Sequence, residues 1–237
     1  MIPKIIYKTG RWKERKLPEE ILHVFDKIKK DNPEITLSYF DDNMCRSFIL
    51  KNFKKEVIFA YDKLIPTAYK ADLFRYCLMY QNGGIYADLL HRYSKPFDAI
   101  INFQKDELCL SKDKINIECG EIEGIQISFM ASAPKNVLFL MVINQVVKNV
   151  RNNYYGKCPL SPTGPILFKE ILEKANKSLA IDLNYRYILQ QRGNNHLVDY
   201  LDRTRFCTTK TEDLKKKLYP DLSKHYQELW VNKNVYK

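Results

Sequence analysis

In the stretch "NGGIYADLLHRY" (Asn82 to Tyr93) a single carboxylate, Asp88, follows a glycine pair and a short apolar run. An isolated Asp at a strand end forms a turn or a helix cap, or it binds a ligand. No helix pattern starts after it, and "HRY" supplies cationic or titratable neighbours. One or two protein carboxylates suffice to hold a metal-bound diphosphate, because phosphate oxygens and waters complete the shell. Just upstream, "YKADLFRY" sets Asp72 and Arg75 three residues apart, hence on one helix face. Two readings are open for that pair. It is a surface ion pair worth ~0.2–0.5 kcal/mol, or it grips a ligand. A carboxylate accepts two sugar hydroxyls, and a guanidinium holds hydroxyl or phosphate oxygens bidentately.

Two further stretches carry polar groups of interest. In "SPTGP" (Ser161 to Pro165) two prolines and a glycine fix a loop at a helix start. Backbone N–H groups there, around Thr163 and Gly164, suit an anion or a hydroxylated ligand; a purely structural loop fits equally well. In "KHYQELW" (Lys224 to Trp230) His225 is a surface residue, a metal ligand or a phosphate donor.

The elements that position these residues are legible in outline. "PKIIYKT" reads as an opening strand that ends at Gly10. "LPEEILHVFDKIKKDNP" is an amphipathic helix with an apolar stripe of Ile21, Leu22, Phe25 and Ile28. "EITLSYF" alternates as a second strand, and Asp41 or Asp42 caps a helix through "MCRSFILKNF". Pro66 precedes a helix through "TAYKADLFRYCLMYQN" that Gly83 and Gly84 stop, and "IYADLL" has strand character. "IQISFMAS" is a strand, "PKNVLFLMVINQVVKNV" a long helix, and "SPTGPILFKEILEKA" a loop feeding a helix. "YRYILQQRGNNHLVDY" is a hairpin turning near Gly193 and Asn194. Strand and helix alternate through the first half, which favours an α/β sheet with crossover helices. Ligands of such sheets gather at the carboxyl ends of the strands, where Asp88 lies.

Composition sets the remaining bounds. A length of 237 residues suits one domain, taken as residues 1–237. The net charge of +11 invites a nucleic-acid reading. The lysines are scattered from Lys4 to Lys237, however, without an aromatic–basic motif or a recognition-helix pattern. A positive field equally suits a diphosphate-bearing substrate. The six cysteines show neither a C-x-x-C pair nor zinc-like spacing. The expectation is therefore of buried thiols in a reducing, cytoplasmic setting, with no signal peptide and no transmembrane segment.

In this order and spacing, "IPKIIYKTG", "YKADLFRYCLMYQNGGIYAD", "FMASAPKN", "PLSPTGP" and "HYQELW" resemble a known family over nearly the whole chain. It is the glycosyltransferases with a DXD sugar-binding region, which include the initiating α-1,6-mannosyltransferases. The catalytic domain of the clostridial glucosylating toxins is a more distant relative. The resemblance implies a GT-A fold: a Rossmann-like, mostly parallel central sheet flanked by helices, with a small C-terminal hairpin and helical extension. It also implies retaining transfer of a hexose from a UDP- or GDP-sugar to a glycan or other hydroxyl acceptor.

By the same resemblance Asp72 and Arg75 grip the donor sugar, and Lys8 and Thr9 lie near base and ribose. Tyr86 is the aromatic before the metal motif, and Asp88 is the first acid of the family's Asp-x-Asp. His225 and Trp230 belong to a segment closing over the diphosphate. Mn²⁺ or Mg²⁺ is implied as cofactor, held by Asp88 and His225. Two departures stand out: Leu90 replaces the second acid, and Ile127 occupies a position where relatives carry Asn, with Gln126 and Ser128 beside it. Either the metal is held more weakly, or cations such as His91, Arg92, Lys95, Lys224 and His225 stabilise the leaving diphosphate instead. The alternative function is a catalytically impaired nucleotide-sugar- or carbohydrate-binding protein.

Overall fold

The computed structural model describes residues 1–178, 185–191, 196–199, 205–208, 214, 217–219 and 226–237. Among them nine strands form one sheet in the order β2-β1-β3-β6-β5-β7-β8-β9-β4. The strands are β1 (Ile5–Thr9), β2 (Thr36–Phe40), β3 (Gly84–Ala87), β4 (Arg92–Tyr93), β5 (Leu108–Asn116), β6 (Ile122–Ser132), β7 (Tyr185–Gln191), β8 (His196–Asp199) and β9 (Arg205–Thr208). The pairing pattern makes β1, β2, β3, β5, β7 and β9 run one way, while β4, β6 and β8 oppose them. The helices are α1 (Glu19–Asp31), α2 (Asp42–Asn52), α3 (Lys55–Lys63), α4 (Thr67–Asn82), α5 (Val137–Arg151), α6 (Pro165–Ser178) and α7 (Tyr226–Val231). This is the helix-flanked α/β sheet of a GT-A fold.

Side chains of the central strands alternate between two cores, as the period of two requires. Ile6, Ile85, Phe129 and Ala131 face α1 and the turn around Phe97. Tyr7, Tyr86 and Met130 face α4, α5 and α6. On α1 the buried stripe is Ile21, Val24, Phe25 and Ile28. Leu22 is exposed, so Val24 takes the place that sequence reading assigned to it. Asp41, not Asp42, caps α2 by accepting from the Met44 amide at 2.9 Å.

Helix α4 buries almost every side chain from Leu73 to Met79, with no polar face left over. That all-round burial marks a central helix, and it takes Asp72 and Arg75 inside with it. At its end Gly83 (φ 64°) and Gly84 (φ 87°) adopt left-handed backbone. A Cβ on Gly83 would fall 2.6 Å from the Ser132 carbonyl, and one on Gly84 2.8 Å from the Ile5 carbonyl. Glycine alone fits both the dihedrals and the space, so the helix reverses directly into β3. Arg75 lies eight residues before Gly83, about 12 Å along the helix. Asp88 lies four residues beyond Gly84, about 13 Å along the strand direction. The matched lengths bring them level.

Three expectations are corrected. The strand expected over "IYADLL" stops at Ala87, and Asp88 to Leu90 form a turn. Helix α3 and strands β4, β5 and β9 are elements that sequence reading did not place. Two of the six expected free thiols are joined, Cys119 to Cys158, while Cys45, Cys77, Cys109 and Cys207 are free and buried. The expected hairpin is present as the antiparallel pair β7–β8, but it extends the main sheet through the parallel β5–β7 ladder. Its turn, at Gly193 and Asn194, lies outside the described residues.

Candidate functional site

Asp72, Arg75 and Asp88 converge. One guanidinium nitrogen of Arg75 lies 3.5 Å from an Asp72 carboxylate oxygen, and the other lies 3.4 Å from Asp88. That second nitrogen also donates to the Ile127 carbonyl at 2.9 Å, and Nε donates to the Ala71 carbonyl at 3.2 Å. The guanidinium stacks over the Tyr86 ring, 4.6 Å from its centre. A planar cation with this many fixed partners has one orientation. The remaining Asp72 oxygen accepts from the Thr163 hydroxyl at 2.8 Å. Burial raises the Asp72 carboxyl to about 6, against the opposing pull of Arg75 and the Thr163 hydrogen bond. The pair is therefore buried, which decides against a surface ion pair.

Asp88 sits in a different environment. Its side chain retains 37% exposure, against 11% for Asp72. Its amide donates to the Ser128 carbonyl at 2.8 Å, tying the turn to β6. Its carboxylate accepts from the Tyr86 hydroxyl at 3.3 Å, and that hydroxyl meets Thr9 Oγ1 at 3.0 Å. Its backbone carbonyl accepts from the His91 amide at 3.1 Å and from Lys8 Nζ at 2.9 Å.

Lys8 is fully buried beneath the turn, with its ammonium 5.1 Å from the centre of the Tyr93 ring. Burial lowers the lysine to about 7, offset in part by Cys207 and Asp88. Lys8 thus acts through Asp88. The direct contact with base or ribose expected of it is not open to a side chain with no exposed surface.

A cavity of about 160 Å³, open to solvent, lies over this cluster. It is lined by Tyr69, Asp72 and Arg75 of α4, by Asp88, by Gln126, Ile127 and Ser128 of β6, by Pro159, Leu160, Gly164 and Pro165, and by Tyr226 of α7. A mixture of carboxylates, a guanidinium, an amide and aromatic rings suits a hydroxyl-rich ligand. Thr163 is fully buried and reaches the cavity only through Asp72, whereas Gly164 lines it.

Other expected site residues lie elsewhere. Trp230 turns away from the cavity: its indole N–H donates to the Tyr155 carbonyl at 2.7 Å, and Lys233 covers the ring. The cavity-lining aromatic of α7 is Tyr226, four residues earlier. His225 and Lys224 lie outside the described residues. Leu90 is buried in the core beside α1 and does not line the cavity. Tyr69 and Tyr226 were not singled out from sequence. The signal for Tyr69 was its position three residues before Asp72, on the same helix face.

Residues 18–106 match the family described as glycosyltransferase sugar-binding region containing DXD motif. That span includes Asp72, Arg75 and Asp88. The chain is 26% identical over 176 residues to a glycosyltransferase of Acanthamoeba polyphaga mimivirus, covering 74% of this chain and 58% of that one. It is 25% identical over 181 residues to inositol phosphoceramide mannosyltransferase 2 of Schizosaccharomyces pombe, covering 76% and 48%. Mannosyl phosphorylinositol ceramide synthase of Saccharomyces cerevisiae is 27% identical, with 72% and 42% covered. The chain thus spans about half the length of the curated relatives it matches. The solved PaToxG glycosyltransferase superposes with a TM-score of 0.57 at 14% identity, covering 98% of this chain and 87% of that one, a likeness of fold. Over residues 18–106 the chain is thus similar to the glycosyltransferases that carry a DXD-containing sugar-binding region, and its fold is like that of a solved glycosyltransferase.

Proposed function

We propose that the chain is a retaining hexosyltransferase that moves a sugar from a UDP- or GDP-hexose to a hydroxyl of a glycan or other acceptor. The observation that carries this reading is the convergence of Asp72, Arg75 and Asp88 at the base of one solvent-open cavity. Asp72 and Arg75 hold the sugar hydroxyls, and Asp88 orients the guanidinium and meets the ribose, sugar or diphosphate. Three similar proteins of Schizosaccharomyces pombe are described as inositol phosphoceramide mannosyltransferases, which makes mannose the first sugar to test. No protein nucleophile is assigned. Same-face attack by the acceptor, with the departing phosphate as base, needs none.

The fit of the described residues to a divalent cation is poor. Hard cations take several oxygen ligands. Asp88 is shared with Arg75 and Tyr86, Asp72 is engaged by Arg75 and Thr163, and Leu90 is buried in the core. No group of three or more His, Cys, Asp or Glu side chains forms a metal cluster among the described residues. No step is therefore routed through a metal. Fixed positive charge near a departing diphosphate lowers the barrier by electrostatic stabilisation, and Arg75 supplies such charge at the cavity.

The second reading, a sugar- or nucleotide-binding protein with impaired turnover, is favoured by the loss of the second acid at Leu90. Incubation with a panel of UDP- and GDP-hexoses, with Mn²⁺ or with chelator, separates the two. Release of UDP or GDP, lost in Arg75→Ala, is the expected result; binding of a donor without turnover of any member of the panel would favour the second reading. The cytoplasmic setting expected from sequence rests on the cysteine pattern and the apolar profile. Among the described residues no helix is long and apolar enough to cross a membrane.

A further inference from the structure

The cavity lies between two walls, the middle of β6 (Gln126, Ile127 and Ser128) and the loop from Pro159 to Pro165, and these walls are fastened very differently on their two sides. On the inner side the loop carbonyls are held by buried side chains of the main core. Tyr69 donates to Pro159 at 2.6 Å, Tyr76 to Thr163 at 2.7 Å and Asn149 to Pro162 at 2.9 Å. On the outer side, among the described residues, a satellite cluster of Cys119, Cys158 and Ile166, with Ile122 and Leu160 packed against it, joins the walls. The turn carrying Cys119 is open to solvent, with Ile117 68% exposed and left-handed backbone at Gly120 and Glu121. Three buried side chains are too few to hold an exposed turn by packing alone. The Cys119–Cys158 bond adds a covalent tie between segments 39 residues apart, immediately before the lining residues Pro159 and Leu160. The walls touch again where Gly124 abuts Pro165, a Cβ there falling 2.9 Å from the Pro165 side chain.

We propose that the Cys119–Cys158 disulfide is a positioning element of the sugar-donor cavity, setting the distance between its two walls, and that the working form of the chain is the oxidised one. Reading the cavity as the donor site rests on the function proposed above. Structural disulfides persist in oxidising compartments, so the inference also bears on where the chain works. Reduction by dithiothreitol breaks the one S–S bond and gives two thiols, while dithiothreitol closes to its cyclic disulfide. The other four cysteines are free and buried, so this bond is the reagent's sole disulfide target.

The test compares native and dithiothreitol-treated protein by hydrogen exchange without any donor, then by donor kinetics. Unreduced, denatured protein should show four alkylatable thiols and reduced protein six. On reduction, exchange should rise about tenfold or more in residues 119–125 and 156–164 and stay unchanged in α4. The donor KM should rise several-fold with kcat largely kept, because the sugar grips on α4 are untouched. The Cys119→Ser/Cys158→Ser double variant should reproduce the reduced state and be insensitive to dithiothreitol; Cys119→Ala/Cys158→Val serves if that variant does not fold. Six thiols without reduction, or unchanged exchange in both walls after complete reduction, would overturn the proposal. A rise in exchange with no turnover of any donor supports this inference and counts against the proposed activity instead.

Discussion

Asp72 and Asp88 are two carboxylates on either side of one arginine, and they are built on opposite plans. Asp72 sits on a helix buried on all sides, with one oxygen taken by Thr163 and the other by Arg75. Asp88 sits on a turn just past a strand, half open, with Lys8 below its carbonyl and Arg75 beside its carboxylate. The first has one possible geometry and a costly charge. The second has a cheaper charge whose placement depends on the backbone of the turn. A sugar grip requires the first kind of rigidity. A group that meets different partners through a reaction is better served by the second.

Substitutions can break or sharpen this contrast, and the largest effect is expected at Leu90. Leu90→Asp would restore the two-acid spacing, but the side chain faces the core. We expect a loss of about 4–5 kcal/mol, from a lost buried leucine plus a buried charge, read by urea unfolding. A stable, metal-stimulated Leu90→Asp protein would show that the turn can present both acids. Arg75→Met removes the shared cation and leaves Asp72 buried without it. A loss of about 3–5 kcal/mol is expected, together with loss of donor turnover; a well-folded variant of wild-type stability would mean the two carboxylates do not depend on it.

The third effect is linked to pH. Asp72 is raised from 3.8 to about 6 in the folded state. The folded protein therefore holds the proton more tightly than the unfolded chain. Stability from this group is fully present below pH 3.8 and is lost as pH rises through 6. Two pK units correspond to about 3 kcal/mol. Asp72→Asn should gain on wild type by on the order of that amount between pH 4 and pH 7 while losing donor binding. Parallel stability curves for the two proteins would contradict the buried-charge account of Asp72.

The smallest stability effect is expected at Lys8. Lys8→Met exchanges a buried amine, whose charged form burial disfavours, for an apolar chain of similar length. It should keep or raise the melting temperature yet raise the donor KM, because the Asp88 turn loses the hydrogen bond to its carbonyl. Lys8→Met with unchanged kinetics would mean that His91 and Ser128 hold the turn unaided.

The architecture was legible where the signal was local. Alternating strands, the apolar stripe of α1, the glycine stop of α4 and the rigid "SPTGP" loop all follow from short-range chemistry. So does the meeting of Asp72, Arg75 and Asp88, because the helix–GG–strand block fixes their separation. The rest depended on contacts distant in sequence. Lys8 reads as a base or ribose contact at a strand end until Tyr93 and the Asp88 carbonyl are seen to enclose its ammonium. Trp230 and Tyr226 lie one turn apart on the same short helix; the resemblance pointed to Trp230, whereas Tyr226 lines the cavity and Trp230 bonds to Tyr155. Cys119 and Cys158 carry no spacing motif, so only the fold brings them together.

The most direct test of the central claim is a crystal structure of the protein with a bound UDP- or GDP-hexose. The hexose should lie in the cavity between α4, β6 and the Pro159–Pro165 loop. Its hydroxyls should be within hydrogen-bond reach of Asp72 and Arg75, and Asp88 should lie within reach of the donor. A donor bound elsewhere, with Asp72 and Arg75 still paired to one another and out of its reach, would contradict the assignment.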